Sequence, residues 1–434
     1  MKQEKFKLNK NIACCKFSNL KFFVVFFALL VFSSSIFAFD YGGILTNDSA
    51  LKTDSKNKIN LDQKNSASLW TRQNFDKDGE KYFAAEGLYS FECDLSLPYD
   101  KITNILDVSL LKFALSKSFD SSKISFDVGR FYFSDLSGLV FTQNADGAKF
   151  SFQNNYFTVS AYGAYTGLLN GLSTEIIGAT PLEFLADGST PAVQDSTKIF
   201  AADSTKLYDF AEKYAVCDLT LSFPYFAANQ TGALEFLGAF SLENETYNRM
   251  YATFKFDGPV YRSLFYSVSS TFEFLNYKNA EDKTICDFAN LSKITLDYFF
   301  KNASLGLSGV YASGNQGFFS SFVGFTKNTS TYSLQNFLYS GIIKGGFNAA
   351  FKPLKNLLLA FDCDLIFNAT AGSEDKEYND LSGIEYYGFE YSAGATWQFM
   401  SDFQIGLSAT QFFDKKNSDD VNKTYISLHA ALAF

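Results

Sequence analysis

Few residues in this 434-residue chain have the types and spacing that chemistry requires. His429 is the only histidine, so an imidazole-assisted nucleophile or water would have to rely on it. It stands near the end of the chain with no serine or acid at a motif spacing, which argues against hydrolysis. No Gly-rich phosphate loop separates a strand pattern from a helix pattern. Asp362 and Asp364 are candidate Ca²⁺ ligands, but two residues apart on a strand they share one face and read more simply as solvated wall. Cys93, Cys217, Cys286 and Cys363 each precede an aspartate, and their spacing fits no zinc pattern. Three of them fall on apolar, lipid-facing strand positions, and they read as small hydrophobes. An exported chain can form disulfides, yet the spacing assigns no pairs. No cofactor, metal or enzymatic activity is expected.

The elements that carry these residues alternate with period two. Over 386–399, Tyr387, Phe389, Tyr391, Ala393, Ala395, Trp397 and Phe399 oppose Gly388, Glu390, Ser392, Gly394, Thr396 and Gln398. Over 403–410 and 84–97 the same alternation holds, and weaker copies lie at 122–133, 156–165, 213–226, 231–242, 250–256, 260–274, 292–300, 303–312, 337–351 and 357–369. Period two places alternate side chains on opposite faces of a sheet. The best runs exceed the ~5–6 residues of an ordinary strand and reach the ~9–11 that a tilted membrane strand needs. Near the end, short turns at 352–356 and 400–402 alternate with longer polar loops at 370–383 and 414–423. The alternation is lost around 300–336, where 314–317 and 327–336 each read as turn or loop. The expected fold is an all-β, antiparallel up-and-down transmembrane barrel of about 14–18 strands.

Composition agrees. Aromatics make up 18% of the chain, with 51 Phe and 25 Tyr, yet mean hydropathy is only −0.05. Only six prolines interrupt the strand patterns. Residues 1–38 read as a signal peptide. Six lysines precede the unbroken apolar run Phe22–Phe32, and small residues lead to Ala38, with Ser35 as an alternative cleavage site. Cys14 and Cys15 precede the apolar run, so no lipid anchor is expected. Without that leader, 31 basic residues face 45 acidic ones, which argues against nucleic acid as a partner. Residues 39–80 read as a polar N-terminal segment with room for a first strand; within it, 45–66 look flexible. Residues 81–434 form the barrel, and 167–211, with Pro181 and Pro191, form one long loop that folds inward or lies outside.

The chain ends Tyr425-Ile426-Ser427-Leu428-His429-Ala430-Ala431-Leu432-Ala433-Phe434. A strand closing on a terminal Phe resembles the C-terminal signal of outer-membrane β-barrel proteins. That resemblance implies that Tyr425, Leu428, Leu432 and Phe434 are read by the barrel-assembly machinery. Phe39-Asp40-Tyr41-Gly42-Gly43, and Gly129-Arg130-Phe131 followed by Ser134-Asp135 and Asp146-Gly147, resemble spirochaete-type outer-membrane proteins. This second likeness implies lineage and location, with no agreed activity.

The polar phase of the strands then defines an expected lumen face. Its acids are Glu86, Glu92, Asp94, Asp127, Asp218, Glu235, Glu273, Asp297, Asp362, Asp364 and Glu390, against Lys123, Lys255, Lys293 and Lys344. Acidic walls around water favour cations. The expectation is a porin-like channel for small solutes, mildly cation-preferring, seated in outer-membrane lipid, with oligomerisation left open. Two other readings compete: a surface barrel acting as an adhesin or structural protein, and a transporter of hydrophobic substrates, for which residues 39–80 are long enough to make a plug but look too polar to fill one.

Overall fold

The structure, a computed structural model, describes residues 39–53, 59–94, 102–174, 176–177, 202–227, 229–243, 248–278, 284–314, 319–327, 339–369, 384–414 and 423–434. The leader lies outside the described residues, as do Pro181 and Pro191. Eighteen strands follow in order: β1 (Asp40–Thr53), β2 (Ile59–Asn74), β3 (Lys81–Asp94), β4 (Ile102–Ser118), β5 (Ser122–Ser134), β6 (Thr142–Asn154), β7 (Thr158–Tyr165), β8 (Tyr214–Ala227), β9 (Gln230–Ser241), β10 (Arg249–Tyr261), β11 (Leu264–Lys278), β12 (Thr284–Phe299), β13 (Ala303–Ala312), β14 (Ile342–Leu354), β15 (Leu357–Asn368), β16 (Glu385–Gln398), β17 (Phe403–Asp414) and β18 (Lys423–Ala433). Each pairs antiparallel with its sequence neighbours. β1 then pairs with β18, from Ile44 opposite Ala433 to Lys52 opposite Tyr425, and the sheet closes. Phe434 completes this seam, exchanging backbone hydrogen bonds with Gly43 at 2.9 and 3.0 Å.

Closure gives the sheet two faces with opposite solvents. On β17, Ile405 and Leu407 are exposed on the outside, while Gln404, Gly406, Ser408 and Thr410 occupy the inner phase. The connections alternate around the ring. At one end lie eight turns of two to six residues; at the other lie nine connections of five to 48. The ambiguity near 300–336 resolves into a single connection, 313–341, at the long-loop end. β14 begins at Ile342, so 339–341 are not strand, and 337–338 lie outside the described residues.

Four strands lack a clear sequence signature, and each has a reason. Residues 45–53 and 59–66, read as flexible, instead lie in β1 and β2, so the described residues of 39–80 build wall rather than a plug. The outer phase of this pair carries Asn47, Ser49, Gln63 and Asn65, while the inner phase carries Asp48, Lys64 and Ser66. With both faces polar, period two has no contrast to show. In β4 the phase itself reverses: Glu86 pairs with Leu110 but Gly87 pairs with Val108, and this bulge turns the strand over at Ser109. In β6, Asp146 occupies the phase continued by Ala148, Phe150 and Phe152, and so hides the alternation. β3 ends at Asp94, and Leu95 and Leu97 lie outside the described residues.

All four cysteines after the leader are free. Each sits in the outer phase; Cys363, for example, pairs with Phe347 and Tyr391.

The seam gives a direct test. Phe434 places its ring where a Cβ on Gly43 would stand. Phe434→Asp puts a charge at that site and should lower the fraction of protein that shows barrel-type, heat-modifiable gel migration after refolding into detergent micelles. Unchanged folding yield would show that the seam does not need the ring.

Candidate functional site

The inner face of β9–β11 carries hydrogen-bonding groups that backbone segments can use. Tyr251 pairs directly with Glu273 across β10 and β11, and Arg249 lies two residues along the same face. Together they hold residues 319–327 of the β13–β14 connection. Val323 N donates to Glu273 Oε2 at 2.7 Å, Tyr251 Oη donates to Val323 O at 2.8 Å, and Arg249 Nη1 donates to Gly324 O at 2.8 Å. A backbone turned into a water-poor lumen needs such partners, because an unpaired buried amide costs about 1–3 kcal/mol.

A second segment, 135–141 between β5 and β6, enters beside it. The Asp135 carboxylate accepts the backbone N–H groups of Ser137, Gly138, Val140 and Phe141 at 2.9–3.1 Å and so rounds the loop. Leu136 N donates to both oxygens of Glu235, at 3.1 and 3.0 Å. The two segments join where Phe325 N and Thr326 N donate to Val140 O, at 3.0 and 2.9 Å. Ile177, from the β7–β8 connection, donates to Phe325 O at 3.0 Å. Phe141, Phe322 and Phe325 become fully buried, packing with Tyr214 and Tyr251. Three connections therefore build an apolar core inside the long-loop end of the barrel.

The described parts of the long loop also complete the wall. β4 and β5 pair only up to Leu111 and Arg130. Gly129, at φ +117°, allows the close approach there, since a Cβ would overlap Leu111 O. Beyond that point the strands part, and loop residues fill the seam: Leu106 N donates to Leu207 O, and Asn170 Nδ2 donates to Leu106 O. Arg130 ties the junction. It makes a bidentate pair with Asp146 at 2.9 and 2.8 Å and donates to Val108 O, Tyr208 Oη and Leu168 O. Asp107 stands 3.5 Å away. The sequence held a signal for this: Arg130 is a cation in the phase continued by Val128 and Tyr132, where an apolar side chain belongs.

The expected acidic lining is redistributed by these contacts. Glu235 and Glu273 are 2% and 0% exposed, beneath the inserted segments, so they do not line water as expected. Asp218 and Glu390 are also buried, and Asp218 accepts from Thr220 Oγ1 at 3.0 Å. Glu92 pairs with Lys64, Asp127 with Lys112, and Asp364 with Lys344. Asp362 lies one step from Asp364 on β15, opposite Ser392, while Glu86, Asp94 and Asp297 lie on β3, β3 and β12. The lysines are more ordered than the sequence suggested. Register runs Lys255, Ser269, Lys293, Val310, Lys344, one residue per strand from β10 to β14. That row sets three ammonium groups on alternate strands, about 10 Å apart by two interstrand steps. Lys123 stands apart on β5.

His429 pairs through Nδ1 with Asp48 Oδ1 at 2.5 Å, bridging β18 and β1 on the inner face. Of the C-terminal candidates, Leu428, Leu432 and Phe434 share the outer phase, and Tyr425 takes the inner one beneath Lys52. Among the described residues no group of three or more His, Cys, Asp or Glu side chains could hold a metal.

No protein-family model matches this sequence, and no curated protein matches it. Solved structures do share the fold. OpdQ of Pseudomonas aeruginosa superposes with a TM-score of 0.57 at 9% identity, covering 92% of this chain and 99% of that one. OccK5 (OpdH) of the same organism gives 0.55 at 10%, covering 91% and 98%. The outer membrane protein OprD gives 0.53 at 11%, covering 91% and 93%.

Two measurements probe the site. Arg130→Ala leaves Asp146 unpaired in the seam and should lower the unfolding free energy in urea by about 3 kcal/mol; a loss under about 0.5 kcal/mol would remove Arg130 from its role. Glu273→Ala takes the acceptor from Val323 N–H, and native-state hydrogen exchange of that amide should speed up about 10-fold or more. Unchanged exchange would mean that Glu273 does not hold the segment.

Proposed function

We propose that this chain is exported, inserts into a bacterial outer membrane and passes small solutes through its lumen as a porin-like channel. The observation that carries the reading is the inversion of its surfaces. An unbroken ring of strands turns exposed Phe, Leu, Ile and Tyr outward and Ser, Gly, Thr and charged residues inward. A closed sheet with an apolar outside is a membrane solution, because its strands satisfy one another's backbone around the ring and the long loop fills the β4–β5 gap. The fold it shares with an outer membrane protein, OprD, supports the same location. The barrel-assembly machinery would read Leu428, Leu432 and Phe434, which stand together on the outer face. Among the described residues we read no constellation that would make this barrel an enzyme.

The inserted segments make the lumen narrow rather than a plain pore. They attach to β5, β6 and β9–β12, so the constriction is built against one arc of the wall. The opposite arc, from β16 through β18 to β2, carries small residues such as Gly394, Gly406, Ser408 and Ser66 in its inner phase. Solutes would pass along that arc.

Charge selectivity follows from what ion pairing leaves. Acids outnumber lysines in the lumen phase, but Glu92, Asp127 and Asp364 are matched by lysines, and Lys255 and Lys293 oppose the remaining acidic field. A modest cation preference results, far weaker than the composition implies. A closed surface barrel with a binding role is the second reading, favoured by the buried aromatic core across the long-loop end.

Planar-bilayer recording separates these. The intact protein should conduct, and the reversal potential across a KCl gradient should show weak cation preference at 0.1 M that vanishes at 1 M, where the screening length falls from about 10 to about 3 Å. Anion preference at both salts would overturn the electrostatic reading. No conductance, even with residues 319–327 deleted, would overturn the channel.

A further inference from the structure

The outer wall carries a polar patch at a height where hydrocarbon is expected. Asn47 and Ser49 on β1 pair in register with Ala430 and Leu428 on β18, and these in turn pair with Ile405 and Leu407 on β17. All four of those neighbours belong to the apolar outer phase. On the other side, Asn47 and Ser49 pair with Asn65 and Gln63 on β2, and Asn65 pairs with Phe91 on β3. Two amides and a hydroxyl thus interrupt an aliphatic belt, with Gln63 as a third amide beside them. They satisfy one another in part. Asn47 Nδ2 donates to Asn65 Oδ1 at 2.7 Å, and Ser49 Oγ donates to Gln63 Oε1 at 2.7 Å. Asn65 Nδ2 has no acceptor among the described residues, and Gln63 Nε2 reaches only a long contact of 3.4 Å.

The same place is concave. A depression of about 470 Å³ opens there, and its lining includes Asn47, Asn65, Tyr89, Phe91 and the small residues Ala67 and Ala430. Small residues let a second wall approach closely, and amides facing lipid gain a hydrogen bond only from another protein surface.

We infer that this patch is an interface between two copies of the chain, related by a two-fold axis. The inference rests on the membrane reading above. Two features select the occupant. The outer phase here is uncharged: Lys52, Asp62, Lys64 and Glu92 all lie in the inner phase, paired with one another. A phosphate-bearing lipid headgroup would therefore find no cation, and a charged partner no counter-charge. Amides are donor and acceptor at once, so the patch complements itself, as an isologous contact requires. Across the axis, Asn65 Nδ2 of one copy meets the amide oxygens of its partner, and the aromatic rims frame a contact that excludes lipid.

The test uses the full chain, refolded in detergent and reconstituted in lipid nanodiscs, with native mass spectrometry as the readout. A second sample carries Asn47→Leu, Gln63→Leu and Asn65→Leu together. The unmodified protein should be dimeric and the triple variant monomeric, both with heat-modifiable migration that proves an intact barrel. In a variant whose Cys93, Cys217, Cys286 and Cys363 are replaced by Ala, Asn65→Cys should give an oxidised species of two-chain mass. The same substitution at Ile294, on the wall of β12, should not. A monomeric unmodified protein, or a triple variant of unchanged oligomeric state, overturns the inference while leaving the barrel standing. A chain that is soluble without detergent overturns the membrane reading first.

Discussion

Everything in this molecule depends on the backbone ladder that joins its first strand to its last. Nine residue pairs between Ile44–Lys52 and Tyr425–Ala433 turn an open sheet of eighteen strands into a ring. An open sheet of this size would expose two edges of unpaired N–H and C=O groups, each a site for pairing with another chain. With the ring closed, the backbone makes no demand on its surroundings. The outer face is then free to be apolar and the inner face free to be wet. The seam is reinforced on both sides, by the His429–Asp48 pair within and by Phe434 against Gly43 at the rim.

Inside the ring a different constraint applies. A wide barrel cannot fill its lumen with wall side chains alone, so this chain brings backbone inward and must satisfy it there. Glu235 and Glu273 do so by accepting amides. Carboxylates that look in the sequence like solvent-facing charge are therefore structural acceptors. The inserted segments and the residues that hold them form one unit, and loosening one hydrogen bond is felt along the Val140–Phe325 junction.

Much of the architecture was legible in the sequence. β3, β16 and β17 announce themselves, because their apolar outer phase contrasts with a polar inner one over a full strand. A barrel-closing last strand was read from the C-terminal residues. What was hidden has physical causes. β1 and β2 are polar on both faces, so alternation carries no information about them. β4 changes phase at a bulge that only its partner strand reveals. The fate of the acids depended on register: Lys64 faces Glu92 directly, and Lys112 reaches Asp127 along a diagonal, and no local pattern encodes either pairing. The clamp formed by Arg249, Tyr251 and Glu273 was half visible, as one acid on a strand. Its purpose required a segment 50 residues downstream.

The gap between β4 and β5 fixes an order of events during folding. Apart from the closing β1–β18 ladder, every other stretch of wall joins strands consecutive in the chain and can form as those strands meet. The upper part of this seam cannot. Its missing partners, Leu168–Asn170 and Leu207–Tyr208, lie two strands further along the chain, so β5, β6 and β7 must be laid down before they arrive. Until then Asp107 and Asp146 face an unfinished slot, with Arg130 poised between them. The last step there is the docking of a non-local segment, and the chain distance it spans makes it slow relative to hairpin formation. Between consecutive strands, the wall of this barrel is woven from neighbours at every seam but one, and that one is finished late.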